Sequence, residues 1–462
     1  MQMNLEQTVY TSEQVLALAP DASSQKSGQD LANTRKWLKL AMGGGAAWGE
    51  CQGSGGAPYQ TRIDLSGPAF KCSCPSRKFP CKHGIGLLLL YSLSKASFNE
   101  LEQPKWVSEW LATRFDRNKK KEKGEARDKE DDRSPEQLEE ARLAKEKRRQ
   151  TRLENVQAGV EELELFLADL IRQGVGNLKS EGYAFFESRA ARLVDAQAPG
   201  LARLVRECAA LTSGQTNWQE TLLNRLATIY LITRAFKNID QLPAIMREDV
   251  LTAVGFNQSQ EAVLSGEAVA DEWLVVGQYV YNEDKLRVQK SWLRGLSKGR
   301  TALILSFAHG TAPFDVLLVA GHIYDAELVF YRSNYPLRAL IKVKNGDVGD
   351  LFERALRPQG VSTIDDALQE YACALAHLPW LEDLPVLING QILVRTSDRD
   401  LFIADKQKGA LPLQTNYQAG WQLTAFSAGH PLTLFGEFDG TSLKPLAAIN
   451  EQNGAFLKLA QG

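Results

Sequence analysis

A chain of 462 residues is too long for a single hydrophobic core, so about two to four domains are expected. Its composition, 44% hydrophobic and 24% charged, is that of a globular protein. A formal net charge of -2 excludes any global field for nucleic acid or membrane, leaving only local patches to meet such partners. The apolar run "GIGLLLLYSL" (84–93) falls far short of the roughly 20 residues that cross a bilayer, so no membrane partner is expected. The first residues, "MQMNLEQTVYTSEQVLALAPD", lack a basic segment ahead of their apolar part, which argues against a signal peptide. The expected compartment is the cytoplasm, where clustered cysteines serve as metal ligands before they serve as disulfides.

In chain order, "TSEQVLALAPD" (11–21) and "SGQDLANTRKWLKL" (27–40) read as two short helices, with Thr11 and Gln14 as a possible capping box. "GGGAAWGECQGSGG" (43–56) reads as a Gly-rich loop in which Cys51 is a packed thiol. It is not a phosphate loop, because no G-x-x-x-x-G-K-[ST] occurs in the chain. "YQTRIDL" (59–65) alternates as a strand does, and "AFKCS" (69–73) follows as a second strand. Pro80 then marks the entrance of a helix, "CKHGIGLLLLYSLSK" (81–95).

Between those strands and that helix lie Cys72, Cys74, Cys81 and His83, in the pattern C-x-C-x6-C-x-H. They take three of the six cysteines and one of the five histidines into twelve positions. Three thiolates and an imidazole are the tetrahedral donor set that zinc prefers, and Pro75-Ser76 supplies the turn that lets the first two sulfurs converge. With four ligands available locally, no position is left for a catalytic water. No Asp or Glu lies between Asp64 and Glu100 to act as a general base, and the deaminase pattern H-x-E with P-C-x-x-C is absent. The reading is one structural zinc and no catalytic residue.

In the same acid-free interval Lys71, Arg77, Lys78 and Lys82, with Lys95 further on, offer positive charge, and Phe79 can pack or stack. Contact with DNA or RNA and a protein-only surface both remain open on these residues.

The segment around the cysteines resembles the SWIM zinc finger, whose signature is C-x-C, a spacer and C-x-H on a β-β-α unit. All four ligand positions are filled, by Cys72, Cys74, Cys81 and His83. The surrounding "WGECQGSGGAPYQTRIDLSGPAFKCSCPSRKFPCKH" looks like the extended form found in bacterial SWIM proteins. The resemblance is specific over about residues 45–95 and rests only on layout beyond about residue 115. It implies DNA or protein binding, and the company of an AAA-type ATPase and a von Willebrand A-type protein.

After the finger, "PKWVSEWLATRF" places Trp106, Trp110 and Leu111 at helical spacing, read as core. Residues 114–133 are almost all charged or small and read as a solvated linker. "SPEQLEEARLAKEKRRQ" opens a helix capped by Ser134, with Leu153, Val156, Val160, Leu163, Leu167 and Leu170 forming its docked second half. Helices follow in "APGLARLVRECAALTS", "NWQETLLNRLATIYLITRAFKNI" and "LPAIMREDVLTAVGF", with Cys208 a buried small side chain.

From about residue 270 the period shortens to that of strands. "EWLVVGQYVYNEDKLRVQKSWLRG", "TALILSFAH", "DVLLVAGHIYDAELVFYRS", "PVLINGQILVRTS", "DLFIADK", "WQLTAFSAG", "PLTLFGEFDG" and "LKPLAAI" are expected strands, with a helical insertion near 348–378. His309, His322, His377 and His430 stand singly, and Cys373 has no His-Asp pattern beside it.

The expected whole is a multidomain α+β protein. Residues 1–113 hold N-terminal helices and the finger (about 57–94), 114–133 the charged linker, 134–257 a helical domain and 258–462 a mainly antiparallel β domain with its helical insertion. The expected role is a zinc-dependent binding protein and not an enzyme. A hydrolase or nuclease in the last domain is the outlying alternative.

Overall fold

The computed structural model describes residues 12–19, 22–53, 57–65, 69–76, 78–113, 135–212, 218–283, 286–310 and 314–459, save positions 315, 317, 352, 355, 357 and 396–399. Thr11, Arg77, Ser134 and the expected linker 114–133 lie outside the described residues. Multidomain α+β is the fold observed: a small sheet with helices, a helical region, then two antiparallel sheets.

Helices α1 (Ser12–Ala17) and α2 (Ala22–Leu31) precede strands β1 (Trp37–Gly43), β2 (Ala46–Cys51), β3 (Tyr59–Asp64) and β4 (Ala69–Cys72). Helix α3 (Lys82–Leu93), strand β5 (Asn99–Glu100) and helix α4 (105–113) complete this part. The sheet order is β4-β3-β2-β1-β5, antiparallel except for the β1–β5 edge. Two expectations fail here. "RKWLKL" is strand rather than helix from Trp37 on, and six of the fourteen residues of the Gly-rich "loop" are β2. Gly44 and Gly45 have φ of 55° and 79°, the two left-handed positions of a tight hairpin turn, which is what those glycines are for. Gly49 is kept small by Trp37, whose ring lies 2.7 Å from where a Cβ would stand. Cys51 is a packed thiol, fully buried, but on a strand.

Alternation along the strands divides the sheet into two faces. Ala47, Cys51, Ile63 and Phe70 join a core with α3, α1 and α2, while Ala41, Ala46 and Trp48 join one with Val107 of α4. Helix α3 is apolar all round, and every residue from His83 to Tyr91 is buried, as a helix enclosed on all sides must be. Its crossing with α2 depends on small residues: a Cβ on Gly86 would come 2.6 Å from that of Leu31, and one on Gly28 would strike Ile85.

Next comes α5 (Pro135–Gln173), followed by α6 (Leu178–Asp195), α7 (Pro199–Leu211), α8 (Trp218–Lys237), α9 (Ala244–Val254) and the short α10 (Gln260–Leu264). The second half of α5 docks through Val156, Val160, Leu163, Leu167 and Leu170, all buried, as their spacing predicts. Helix α6 is an element the sequence reading did not name; Phe186, Ala190 and Leu193 place it in the same core.

The rest is built from β6 (Ala268–Glu283), β7 (Leu286–Gly295), β8 (Thr301–His309), β9 (His322–Phe330), β10 (Ala339–Asp350), α11 (Ile364–His377), β11 (Leu384–Val394), β12 (Leu401–Ala404), β13 (Ala410–Pro412), α12 (Tyr417–Ser427), β14 (Leu432–Phe438), β15 (Leu443–Asn450) and β16 (Phe456–Lys458). They form two antiparallel sheets, β10-β9-β6-β7-β8 and β13-β12-β11-β14-β15-β16. Trp292, Val276 and Leu274 of the first pack on Phe435, Leu446 and Ile449 of the second. "WQLTAFSAG" belongs to helix α12 and is not a strand: Asn416 caps it, its side chain accepting the Ala419 N–H at 2.7 Å. The insertion is helical only over α11; its start is the end of β10, an edge strand with three register shifts.

Candidate metal centre

Strand β4 delivers Cys72, the turn after it Cys74, and the start of α3 the other pair. Cys81 is the residue that caps α3 and His83 lies in its first turn, as the sequence predicts. The four ligand atoms all lie within 4.8 Å of one another. His83 Nδ1 is 3.8 Å from Cys72 Sγ and 4.0 Å from Cys81 Sγ. A tetrahedron with zinc–sulfur bonds near 2.3 Å and zinc–nitrogen near 2.0 Å requires ligand separations of roughly 3.5–3.8 Å, so the ligands need only draw in slightly to seat that ion.

The electrostatics favour a cation at its centre. Burial works against a charged His83, yet hydrogen bonds and the field of Cys72 and Cys74 raise its pKa to about 9. Cys74 is held far below the ordinary thiol range by hydrogen bonds from Cys72 and Cys81, while Cys81 is pushed up by the same two neighbours and by burial. Each thiolate formed makes the next one costly, and a divalent ion removes that conflict.

Two supporting residues escaped the sequence reading. The Thr61 hydroxyl lies 3.1 Å from Cys72 Sγ, its direct cross-strand partner. Arg62 emerges on the other face of β3, only 8% exposed, with its guanidinium 5.0 Å from the Trp106 ring and 5.6 Å from Trp110. Both were findable in principle from the β3–β4 pairing, had the register been known. The tryptophans are therefore a clamp on a buried cation as well as core.

Among the basic residues, Lys71, Lys78 and Lys82 are exposed. Lys78 and Lys82 flank the ligand turn and helix start. Lys71 leaves β4 on the face opposite Cys72, paired in register with Arg62. Phe79 is partly buried against the core and meets Phe70 edge-on at 6.3 Å, so it is an anchor, not a stacking platform. His309, His322, His377 and His430 lie outside the cluster, His322 bonded at 2.8 Å to Asp347.

Residues 68–92 match the family model of the SWIM zinc finger, and residues 151–254 match that of a SWIM-associated four-helix bundle domain. The chain carries a SWIM-type zinc finger. The SWIM ligands Cys72, Cys74, Cys81 and His83 are positioned to bind one zinc ion. The second match covers the docked half of α5 and helices α6 to α9, where the sequence reading had only an unnamed helical region. No curated protein and no solved structure matches the chain. Among the described residues no helix is long and apolar enough to cross a membrane.

Proposed function

We propose that the finger is a binding module for the phosphate backbone of nucleic acid, held in shape by a structural zinc. The observation that carries this reading is a closed Cys3His site whose surroundings, from residue 65 to 99, hold lysines and one arginine and no acid. Exposed Lys78 and Lys82 beside the ligands neutralise phosphates, and Lys71 contributes from the opposite face of β4. The metal acts on folding and not on chemistry, and the chain works as a binding protein, not an enzyme, in the cytoplasm.

The test is retention of labelled duplex and single-stranded DNA and of RNA by the full chain across a salt series. Nucleic-acid binding makes affinity fall steeply with salt, and Lys78→Ala with Lys82→Ala reduces that slope by about two charges. The second reading is a protein-only surface, working with an AAA-type ATPase and a von Willebrand A-type partner. It is favoured by the engagement of Phe79 in the core, which removes the aromatic ring of the ligand turn from stacking on a base. A pull-down whose partner survives nuclease treatment, with no retention of nucleic acid at any salt, decides for it.

A further inference from the structure

Between the helical bundle and the paired sheets lies a cleft of about 400 Å³, inside the range of small-ligand sites of about 300–1,000 Å³. Its carboxylates are all engaged by the chain. Asp249, 5% exposed, accepts both the backbone N–H and the side-chain amide of Asn334, at 2.9 and 3.0 Å. Glu382 takes Arg203 at 3.0 Å and Arg225 at 3.0 Å, and Asp383 lies 3.4 Å from Lys290. The cations Arg203 and Lys290 are consumed in the same pairs.

Two lining cations are not consumed. Arg332 and Arg338, at the two ends of the segment from β9 to β10, have no carboxylate within ion-pair distance among the described residues. Arg338 instead stands over the Tyr331 ring, its guanidinium carbon 4.4 Å from the ring centre, which holds the group in place without consuming its charge. Tyr335 and Trp380 supply flat apolar wall beside them. Trp380 also packs on the bundle core, so the wall is built from both sides of the cleft.

We propose that this cleft binds a nucleoside phosphate, the phosphate between Arg332 and Arg338 and the base against the aromatic wall. The two guanidiniums match a phosphate in charge and fork geometry, and a base is a flat ring that such a wall accepts. The site is separate from the finger, so it does not depend on what the finger binds.

Calorimetric titration of the zinc-loaded full chain with AMP, inorganic phosphate and adenosine tests it. AMP is expected to bind and to raise the melting temperature, with phosphate weaker and adenosine weakest. Arg338→Ala and, separately, Arg332→Ala each weaken AMP by about tenfold or more. Arg332 is exposed, so its variant keeps the fold even where Arg338→Ala disturbs Tyr331. Absence of AMP binding at millimolar concentration, adenosine binding as tightly as AMP, or AMP binding unchanged in Arg332→Ala each overturns the proposal.

Discussion

Glu437 sits between the two carboxy-terminal sheets at 3% exposure, and the chain itself supplies everything it needs. Trp292 Nε1 donates at 2.8 Å, the Tyr279 hydroxyl at 3.0 Å, and Lys290 Nζ stands 2.6 Å away. The amino-terminal sheet also has a polar centre against its core, but there three sulfurs and an imidazole face one another as a ligand set for a metal ion. One region closes its polar centre internally; the other leaves a place for an ion. Size explains the contrast. The paired sheets bury three separate clusters of apolar side chains, whereas the amino-terminal sheet buries two, one of them only a few residues.

The strongest way to break this comparison is to remove the metal. Chelation, or Cys81→Ser, is expected to lose one zinc per chain by elemental analysis and to melt the finger, a cost on the order of 10 kcal/mol. The paired sheets should keep their own thermal transition. If both regions melt together, the packing of Val319 into the finger's core couples them.

The reciprocal experiment is Glu437→Ala. It leaves Lys290, 14% exposed, with Asp383 alone, where its charged form, disfavoured by burial, is held by both Glu437 and Asp383. A loss of about 3–5 kcal/mol is expected in the paired sheets, read by denaturant unfolding, with zinc content unchanged.

Smaller, but specific to the finger's helix crossing, is Gly86→Val. The added carbons meet Leu31 and the Gly28 carbonyl, so a destabilisation of about 1–3 kcal/mol is expected by thermal shift of the zinc-loaded chain.

The smallest expected effect is a pH dependence of opposite sign in the two metal states. Without metal, the folded pKa of His83 is raised from 6.5 to about 9. That contribution to stability is fully present below pH 6.5 and is lost as pH rises through 9. With zinc the dependence reverses, because protons compete for the same sulfurs and nitrogen and loading falls as pH falls. Melting curves with and without chelator between about pH 6 and 9.5 measure both slopes.

The ligand set was fully legible because spacing alone brings C-x-C and C-x-H together across a turn, and chemistry limits which residues zinc accepts. The docked half of α5 was legible for a similar reason, since Val156 to Leu170 keep one helical period. What failed was decided by partners distant in sequence. Gly49 looks like loop until the Trp37 ring that requires it is seen, and most of β10 goes unread until β9 pairs with it. "WQLTAFSAG" has strand-like residues, and only the cap at Asn416 revealed a helix. Arg62 was invisible because its value depends on two tryptophans more than forty residues away.

The clamp of Trp106 and Trp110 on Arg62 also sets how small an autonomous finger can be. A peptide trimmed to residues 68–92 would carry all four zinc ligands and yet lose β1, β2, β3 and both layers that cover the sheet. Excised in that way it would offer Phe70 and the leucines of α3 to water and to its own copies, and would clump as it took up metal. The stretch that keeps both layers runs from α1 through α4, about four times the length of the recognised motif, and Val319 from outside it also packs into its core.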